Sequence, residues 1–208
     1  MIDRLLRNAT VYDLVQQATG ARISEARIRD LLRPEEVNGV ILDVGGGTGI
    51  MARLFAGADY CCMDLDIDRV RVARSRGSAA LVGDAARIPV IGGSIDLVIQ
   101  RAVSHHLTDS QFEALATESC RVLKPDGRLM FLDATWEPRR IRSRLLWAID
   151  QGSHPRTEDH MRAVLARSFH IETSTTYAVF HRYFLAVGRP RADRSQVGEV
   201  DHSERVRG

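Results

Sequence analysis

The chain predicts an α/β fold: a mostly parallel sheet with helices on both faces and an antiparallel hairpin at its C-terminal edge. Three observations carry this. Short apolar runs at 40–44, 60–63, 79–82, 95–99 and 128–133 alternate with helical patterns. Runs apolar throughout belong to strands covered on both faces. The last two runs, 169–176 and 182–187, stand too close for a crossover helix, so they pair as a hairpin.

Composition sets the frame. Of 208 residues, 44% are apolar and 27% charged, the balance of a globular chain rather than a disordered or fibrous one. A chain of this length buries roughly 70% of its unfolded surface and needs no disulfide or metal staple. No stretch approaches the ~20 apolar residues of a membrane helix. The segment 1–7 mixes acid and base, unlike a secretory signal, so a cytoplasmic address is expected. Net charge is +2, too small for electrostatics to drive nucleic-acid binding, and no nucleic-acid partner is expected. Cys61, Cys62 and Cys120 form no Cys-x-x-Cys pair and read as buried free thiols.

Residues 1–36 form an N-terminal helical segment. Leu5, Leu6, Val11, Leu14, Val15 and Ala18 share a helical stripe that Gly20 ends. A second helix runs from about 24 to 33, stopped by Pro34. The main domain spans 37–188. Its helices are predicted at 50–56, 68–76, 110–123, 139–149 and 157–168, with Lys124-Pro125-Asp126-Gly127 as a turn before the fifth strand. The helix at 139–149 is basic on one side and carries Ile141, Leu145 and Ile149 on the other. Residues 189–208 are polar with few apolar side chains and read as a loose tail.

Three strand ends carry chemistry. Asp43 is followed by Gly45-Gly46-Gly47-Thr48-Gly49, a turn that brings backbone close to a ligand at the start of a helix. Ile50 stands where a dinucleotide fingerprint needs glycine. Asp64 ends the second strand, where a carboxylate suits a ribose diol. Asp66 and Asp68 are close rivals, and Asp68 is expected to cap the next helix. Gly83-Asp84-Ala85 ends the third strand, where Asp84 can accept from an adenine amine and the Ala85 N–H can donate to a ring nitrogen. Ligands of open α/β sheets bind at these carboxyl ends.

Together these residues resemble a class I S-adenosylmethionine-dependent methyltransferase of the small type 11 kind. The resemblance rests on Ile41–Gly49, Asp64, Gly83-Asp84-Ala85 with Ile88-Pro89, Gly93–Val98 with His105-His106-Leu107, and Arg121–Gly127, in order over 41–135. Asp126 stands where the family has glycine, a turn position that tolerates Asp. The resemblance implies a Rossmann-like, seven-stranded sheet whose last strand is antiparallel and inserted. It implies S-adenosyl-L-methionine as cofactor and S-adenosyl-L-homocysteine as product. It places Asp43, Gly45, Gly46, Gly47 and Gly49 near the methionine part, Asp64 and the adjoining Leu65 at the ribose, and Asp84 and Ala85 at the adenine. Arg101, just after strand four, lies where family members touch or cover the cofactor. Segments 8–16 and 150–157 carry a weaker resemblance. The first implies a lid in which Tyr12 donates to the methionine carboxylate.

Transfer from a sulfonium is an in-line displacement that needs alignment, exclusion of water and, for a hydroxyl, a base. Candidate bases are His105, His106, His154 and Asp150, and a mechanism of positioning alone stays open. The Asn/Asp-Pro-Pro-Tyr/Phe signature of amino-group methylation is replaced by Ile99-Gln100-Arg101-Ala102-Val103. No carboxylate cluster suggests a metal. The expected acceptor is a small molecule. The alternatives are RNA or protein methylation, or a non-catalytic cofactor-binding module. The acceptor pocket is placed between Tyr12 and Gln16, His105 and His106, and segment 136–156. There Trp136 forms a wall and Arg139, Arg140 and Arg156 offer charge to an anionic group. The basic helix faces that anion, a membrane surface, or solvent. A monomer or homodimer is expected. Deleting 191–208 should leave the melting temperature and cofactor affinity unchanged, and a fall of several degrees would show that the segment packs on the core.

Overall fold

The computed structural model describes residues 21–137, 154–179 and 181–191. The expectations for Tyr12, Gln16, Asp150, the helices within 1–20 and 139–149, and residues 192–208 lie outside the described residues. The first described helix, α1 (Ala21–Leu32), begins three residues before its predicted start. Ile28 and Leu32 point from it into the core. It ends where Arg33 takes a left-handed conformation and Pro34 opens a 3-10 turn.

Seven strands follow: β1 (Val40–Val44), β2 (Asp59–Asp64), β3 (Ala79–Val82), β4 (Ile95–Arg101), β5 (Leu123–Thr135), β6 (Phe169–Ala178) and β7 (Arg182–Pro190). Their order is β3-β2-β1-β4-β5-β7-β6. The first five run parallel, and β7 inserts antiparallel between β5 and β6. The predicted sheet and C-terminal hairpin are both present. Helices α2 (Ile67–Ser75), α3 (Asp109–Val122) and α4 (Glu158–Ser168) complete the described layers.

Each face of the sheet has its own core. On the face of α3 and α4, Phe112, Phe131 and Phe184 pack with ring centroids 5.8 and 6.0 Å apart. On the face of α1, Ile28 and Leu32 meet Ile41, Leu97, Ile99, Met130 and Leu185. Helices on both sides explain why the strands are apolar throughout.

Five predicted boundaries shift for physical reasons. The helix expected at 50–56 is a 3-10 turn, Ile50–Leu54. Gly49 supplies no capping side chain, and buried Phe55 draws the chain down to the sheet. The cap of α2 is Asp66, which accepts from the Asp68 N–H at 2.8 Å, while Asp68 pairs with Arg71. The turn expected at 124–127 is absorbed into β5. Ile95 pairs with Leu123 and Leu97 with Arg128, so the extra residues bulge out. There Lys124 bonds Asp96 at 2.8 Å, and Asp96 also accepts from the Val40 N–H at 2.8 Å. Arg101 is the last residue of β4 rather than a loop residue. Residues 189–191, expected in the tail, are instead held to the domain: β7 runs to Pro190, and Arg191 donates its N–H to the Ser168 carbonyl at 2.9 Å and its Nε to the Ala166 carbonyl at 2.6 Å.

Phe131 bridges both neighbouring rings at the sheet centre. Phe131→Ala should destabilise by about 3–5 kcal/mol, measured as a shift of the urea unfolding midpoint.

Candidate functional site

Every site residue named from the sequence and described here stands at the carboxyl end of the sheet. The turn after β1 is drawn across β2, since the Gly45 and Gly46 N–H groups both donate to the Met63 carbonyl, at 2.8 and 3.1 Å. Gly45 has φ +70°, and a Cβ there would lie 2.6 Å from Val103 Cγ2. A side chain at that position is excluded twice, by conformation and by space. Gly47 also has positive φ, +58°, but a Cβ there would meet nothing within 4 Å. The turn is therefore closed toward the protein and open on its outer side.

Asp64 braces that turn. Its Oδ2 accepts from the Gly47 N–H at 2.9 Å and its Oδ1 from the Asp66 N–H at 2.9 Å. Each oxygen keeps a further lone pair for a ligand hydroxyl. Leu65 beside it is 74% exposed, an apolar side chain held out at the strand end. The Gly83 N–H donates to the Asp64 carbonyl at 3.1 Å, tying the end of β3 to β2. Asp84 is exposed and makes a local turn, accepting from the Ala86 N–H at 2.8 Å, with Ala85 half-buried behind it.

Asp43 lies beneath the turn, 1% exposed. One carboxylate oxygen accepts from the Tyr60 hydroxyl. The other, Oδ1, has no hydrogen-bond partner among the described residues. Burial pushes its pKa up to about 7; the Tyr60 bond and the Arg101 charge oppose this, and Asp64 adds to it. A buried acceptor with an open lone pair fits a cationic or hydrogen-bonding ligand group above it.

Beyond β4, Ala102 takes φ +54° and donates its N–H to the Leu132 carbonyl at 2.8 Å. This reverses the chain into the 3-10 turn Ser104–His106. The turn is anchored on Asp133 of β5, a residue to which the sequence reading gave no role. Asp133 Oδ2 accepts from the Ser104 N–H at 2.8 Å, the Ser104 hydroxyl at 2.6 Å and the His105 N–H at 3.3 Å. Its Oδ1 accepts from the Ala134 N–H at 2.8 Å and lies 2.6 Å from His105 Nδ1. Burial pushes Asp133 upward, but the His105 charge and these hydrogen bonds outweigh it and hold the carboxyl below its ordinary range. The available signal was position alone: Asp133 is another acid near the end of a parallel strand.

The three candidate histidines come together. His105 is buried, and exposed His106 leans against it with ring centroids 4.1 Å apart. Half-buried His154 donates its N–H to the His105 carbonyl at 3.0 Å. Arg156, expected to offer charge to substrate, is instead a buried clamp. It donates to the Ser104 and Leu107 carbonyls at 2.6 Å each, and its Nε donates to Asp109 at 2.8 Å. Its guanidinium also lies 5.1 Å over the Phe112 ring. A guanidinium whose donors are engaged this way has none to give an anion. Trp136, half-buried, joins this segment by donating its N–H to the Arg156 carbonyl at 2.7 Å. Among the described residues no three metal-ligating side chains converge, and no described helix is long and apolar enough to cross a membrane.

The sheet order, the glycine turn and the acids at the ends of β1 and β2 define the class I methyltransferase fold. Residues 42–131 match the family described as a methyltransferase domain, and the chain belongs to that family, the class I S-adenosylmethionine-dependent methyltransferases. It is 33% identical over 181 residues to malonyl-[acyl-carrier protein] O-methyltransferase of Geobacter sulfurreducens, covering 78% of this chain and 66% of that protein. It is 34% identical over 110 residues to probable tRNA methyltransferase 9B of Bos taurus, covering 50% of this chain and 23% of that protein. The chain thus spans from about a quarter to two thirds of the length of these curated relatives. Among solved structures, its fold is similar to a chain of the complex between the Haloferax volcanii Trm112 methyltransferase activator and a putative methyltransferase. That match has a TM-score of 0.74 and 16% identity, covering 90% of this chain and 96% of that one. It is also similar to the PH0226 protein of Pyrococcus horikoshii, with a TM-score of 0.69 and 20% identity, covering 88% and 93%.

Asp43 yields a test of its own. Its ordinary pKa of 3.8 rises to about 7 in the folded chain, so the folded state binds the proton more tightly than the unfolded one. The contribution of Asp43 to stability is then greatest at low pH, falls as pH rises from about 4 to 7, and levels off above. Asp43→Asn should remove this slope. Relative to the unaltered chain the variant should gain stability over that window, by on the order of 2–4 kcal/mol at pH 8, read from urea unfolding at pH 5 and pH 8.

Proposed function

We propose that this chain transfers a methyl group from S-adenosylmethionine to a small-molecule acceptor. The observation that carries the cofactor reading is Asp43 Oδ1, a buried acceptor with an open lone pair directly beneath an outward-open glycine turn. Bound S-adenosylmethionine supplies a methyl group on a positively charged sulfur. Asp43 balances the cationic amino-acid end. Asp64 accepts from the ribose hydroxyls, already oriented by its bond to Gly47. Leu65 covers an adenine face with apolar surface, while Asp84 and Ala85 meet the adenine edge. Arg101, whose charge reaches Asp43, balances the carboxylate end. His105, His106 and His154 line the side from which the acceptor enters.

Two kinds of support favour a small acceptor. The relatives include malonyl-[acyl-carrier protein] and fatty-acid O-methyltransferases. The net charge of +2 lacks the excess that a nucleic-acid-binding surface needs. The tRNA methyltransferase 9B relatives favour an RNA acceptor; their match covers 50% of this chain, against 78% for the malonyl-[acyl-carrier protein] O-methyltransferase and 43% for the fatty-acid O-methyltransferase. A cytoplasmic setting goes with this reading, since Cys61, Cys62 and Cys120 are not joined in disulfides.

Isothermal titration with S-adenosylhomocysteine should give micromolar binding, and NAD should give none. Asp64→Ala should weaken the former by about 1–3 kcal/mol, because ribose hydroxyls lose their acceptor. Binding of NAD without S-adenosylhomocysteine would sink the reading.

A further inference from the structure

We propose that Tyr60 is a positioning residue for the cofactor: its hydroxyl ties down one oxygen of Asp43, so that the other is presented to the ammonium group at the amino-acid end of S-adenosylmethionine. This rests on the reading of the chain as an S-adenosylmethionine-dependent methyltransferase.

The register of the two central strands places these residues. Ile41 of β1 pairs with Tyr60 of β2, and Asp43 pairs with Cys62. Side chains alternate along a strand, so Ile41, Asp43, Tyr60 and Cys62 share one face of the sheet. On that face Tyr60 stands two residues behind Asp43. Its side chain reaches forward along the diagonal, and its hydroxyl donates to Asp43 Oδ2. The tyrosine is itself held: it is 8% exposed, and its ring stacks on buried Phe55 with centroids 6.4 Å apart.

The glycine turn closes over the same oxygen. A Cβ at Gly46 would lie 2.7 Å from Asp43 Oδ2 and 2.9 Å from Cys62 Sγ. Cys62 in turn donates its thiol to the Gly47 carbonyl at 3.4 Å. Oδ2 is thus covered by Tyr60 and Gly46, whereas Oδ1 has no hydrogen-bond partner among the described residues. One donor has made two equivalent oxygens inequivalent. Among the described residues Tyr60 is the one side chain that donates to Asp43, so without its hydroxyl no side-chain bond would fix the carboxyl group.

The bond also acts on charge. Burial pushes the Asp43 pKa up to about 7; the Tyr60 bond and then the Arg101 charge oppose this, and Asp64 adds to it. The titratable and charged groups around the carboxyl are Tyr60 and Cys62 of β2, Asp64 at the end of that strand, and Arg101 at the end of β4. Burial first, and then the Asp43 charge, push the Tyr60 hydroxyl well above its ordinary value, so it keeps its proton and stays a donor. A hydrogen bond to a carboxylate favours the charged form, and that form pairs with a cation. Affinity for a ligand bearing an ammonium group should therefore rise with pH as Asp43 ionises, through about 7. Deleting the hydroxyl removes a bond that favours ionisation, so the same rise should move to higher pH.

Tyr60→Phe deletes one oxygen and keeps the ring that packs on Phe55. Two ligands are titrated by calorimetry: S-adenosylhomocysteine, which carries the amino-acid end, and 5′-methylthioadenosine, which lacks it. The variant should bind S-adenosylhomocysteine about tenfold more weakly at pH 6, with a deficit that shrinks toward pH 8.5, and methylthioadenosine within about threefold of the unaltered chain. In an Asp43→Asn background, Tyr60→Phe should alter S-adenosylhomocysteine affinity by less than about threefold, because its effect passes through Asp43. Equal loss of both ligands is what a merely structural tyrosine would give. That result, an unchanged S-adenosylhomocysteine affinity, or a deficit independent of pH would each overturn the proposal. Carboxyl ¹³C spectra of protein labelled with ¹³C-aspartate read the ligand-free chain. Asp43 should titrate at higher pH in Tyr60→Phe, and an unmoved titration would overturn the proposal without reference to any ligand. Failure of the unaltered chain to bind either ligand would instead overturn the cofactor reading, and the carboxyl spectra would still judge the bond between Tyr60 and Asp43.

Discussion

β1 lies at the centre of the parallel half of the sheet, with β2 on one side and β4 on the other. Among the described residues, the turn leaving β1 is fastened to β2 and the turn leaving β4 to β5, and the two meet where Val103 fills the space beside Gly45. The candidate site is built from these strand ends. Backbone and side chains there lack the packing that covers both faces elsewhere, and the chain compensates with hydrogen bonds. The Met63 carbonyl takes two N–H groups from the glycine turn, and Asp64 takes a third from Gly47. Asp133 gathers the turn after β4. Each of these turns is thus fastened to a neighbouring strand end.

Two buried carboxylates show how surroundings decide role. Asp43 and Asp133 are each 1% exposed, yet they shift in opposite directions. Asp43 has one side-chain donor, Tyr60, and burial prevails. Asp133 has five donor contacts, and they outweigh burial. The first is a charge that forms readily when a cation arrives. The second is a permanent anion that fixes its neighbours. The separation of two similar acids by their donor counts follows the general pattern of pKa tuning in active sites.

Much of this was legible in the sequence. The seven strands, the hairpin, the glycine turn and Asp64 follow from periodicity, turn chemistry and family resemblance, because these are local signals. What escaped depends on partners distant along the chain. Asp133 lies in an apolar run, and its donors Ser104 and His105 stand 29 and 28 residues away. Arg156 sits among polar residues and reads as a solvent-facing cation. Its acceptors, the carbonyls of Ser104 and Leu107, are 52 and 49 residues distant and carry no side-chain signature. The capping error at α2 is of another kind. Asp66 and Asp68 are equally good caps by composition, and only backbone geometry chooses between them.

The clamp at Arg156 also bears on what can enter the crevice. Had its guanidinium faced the acceptor side, an anionic acceptor would have found a partner there. Instead Asp109 neutralises it and the carbonyls of Ser104, Leu107 and His154 absorb its remaining donors, while Asp109 itself is held below its ordinary range by that contact. Close by, Asp133 contributes a fixed negative charge through His105. Beside the histidines, then, Asp133 is a second carboxylate that Arg156 does not answer.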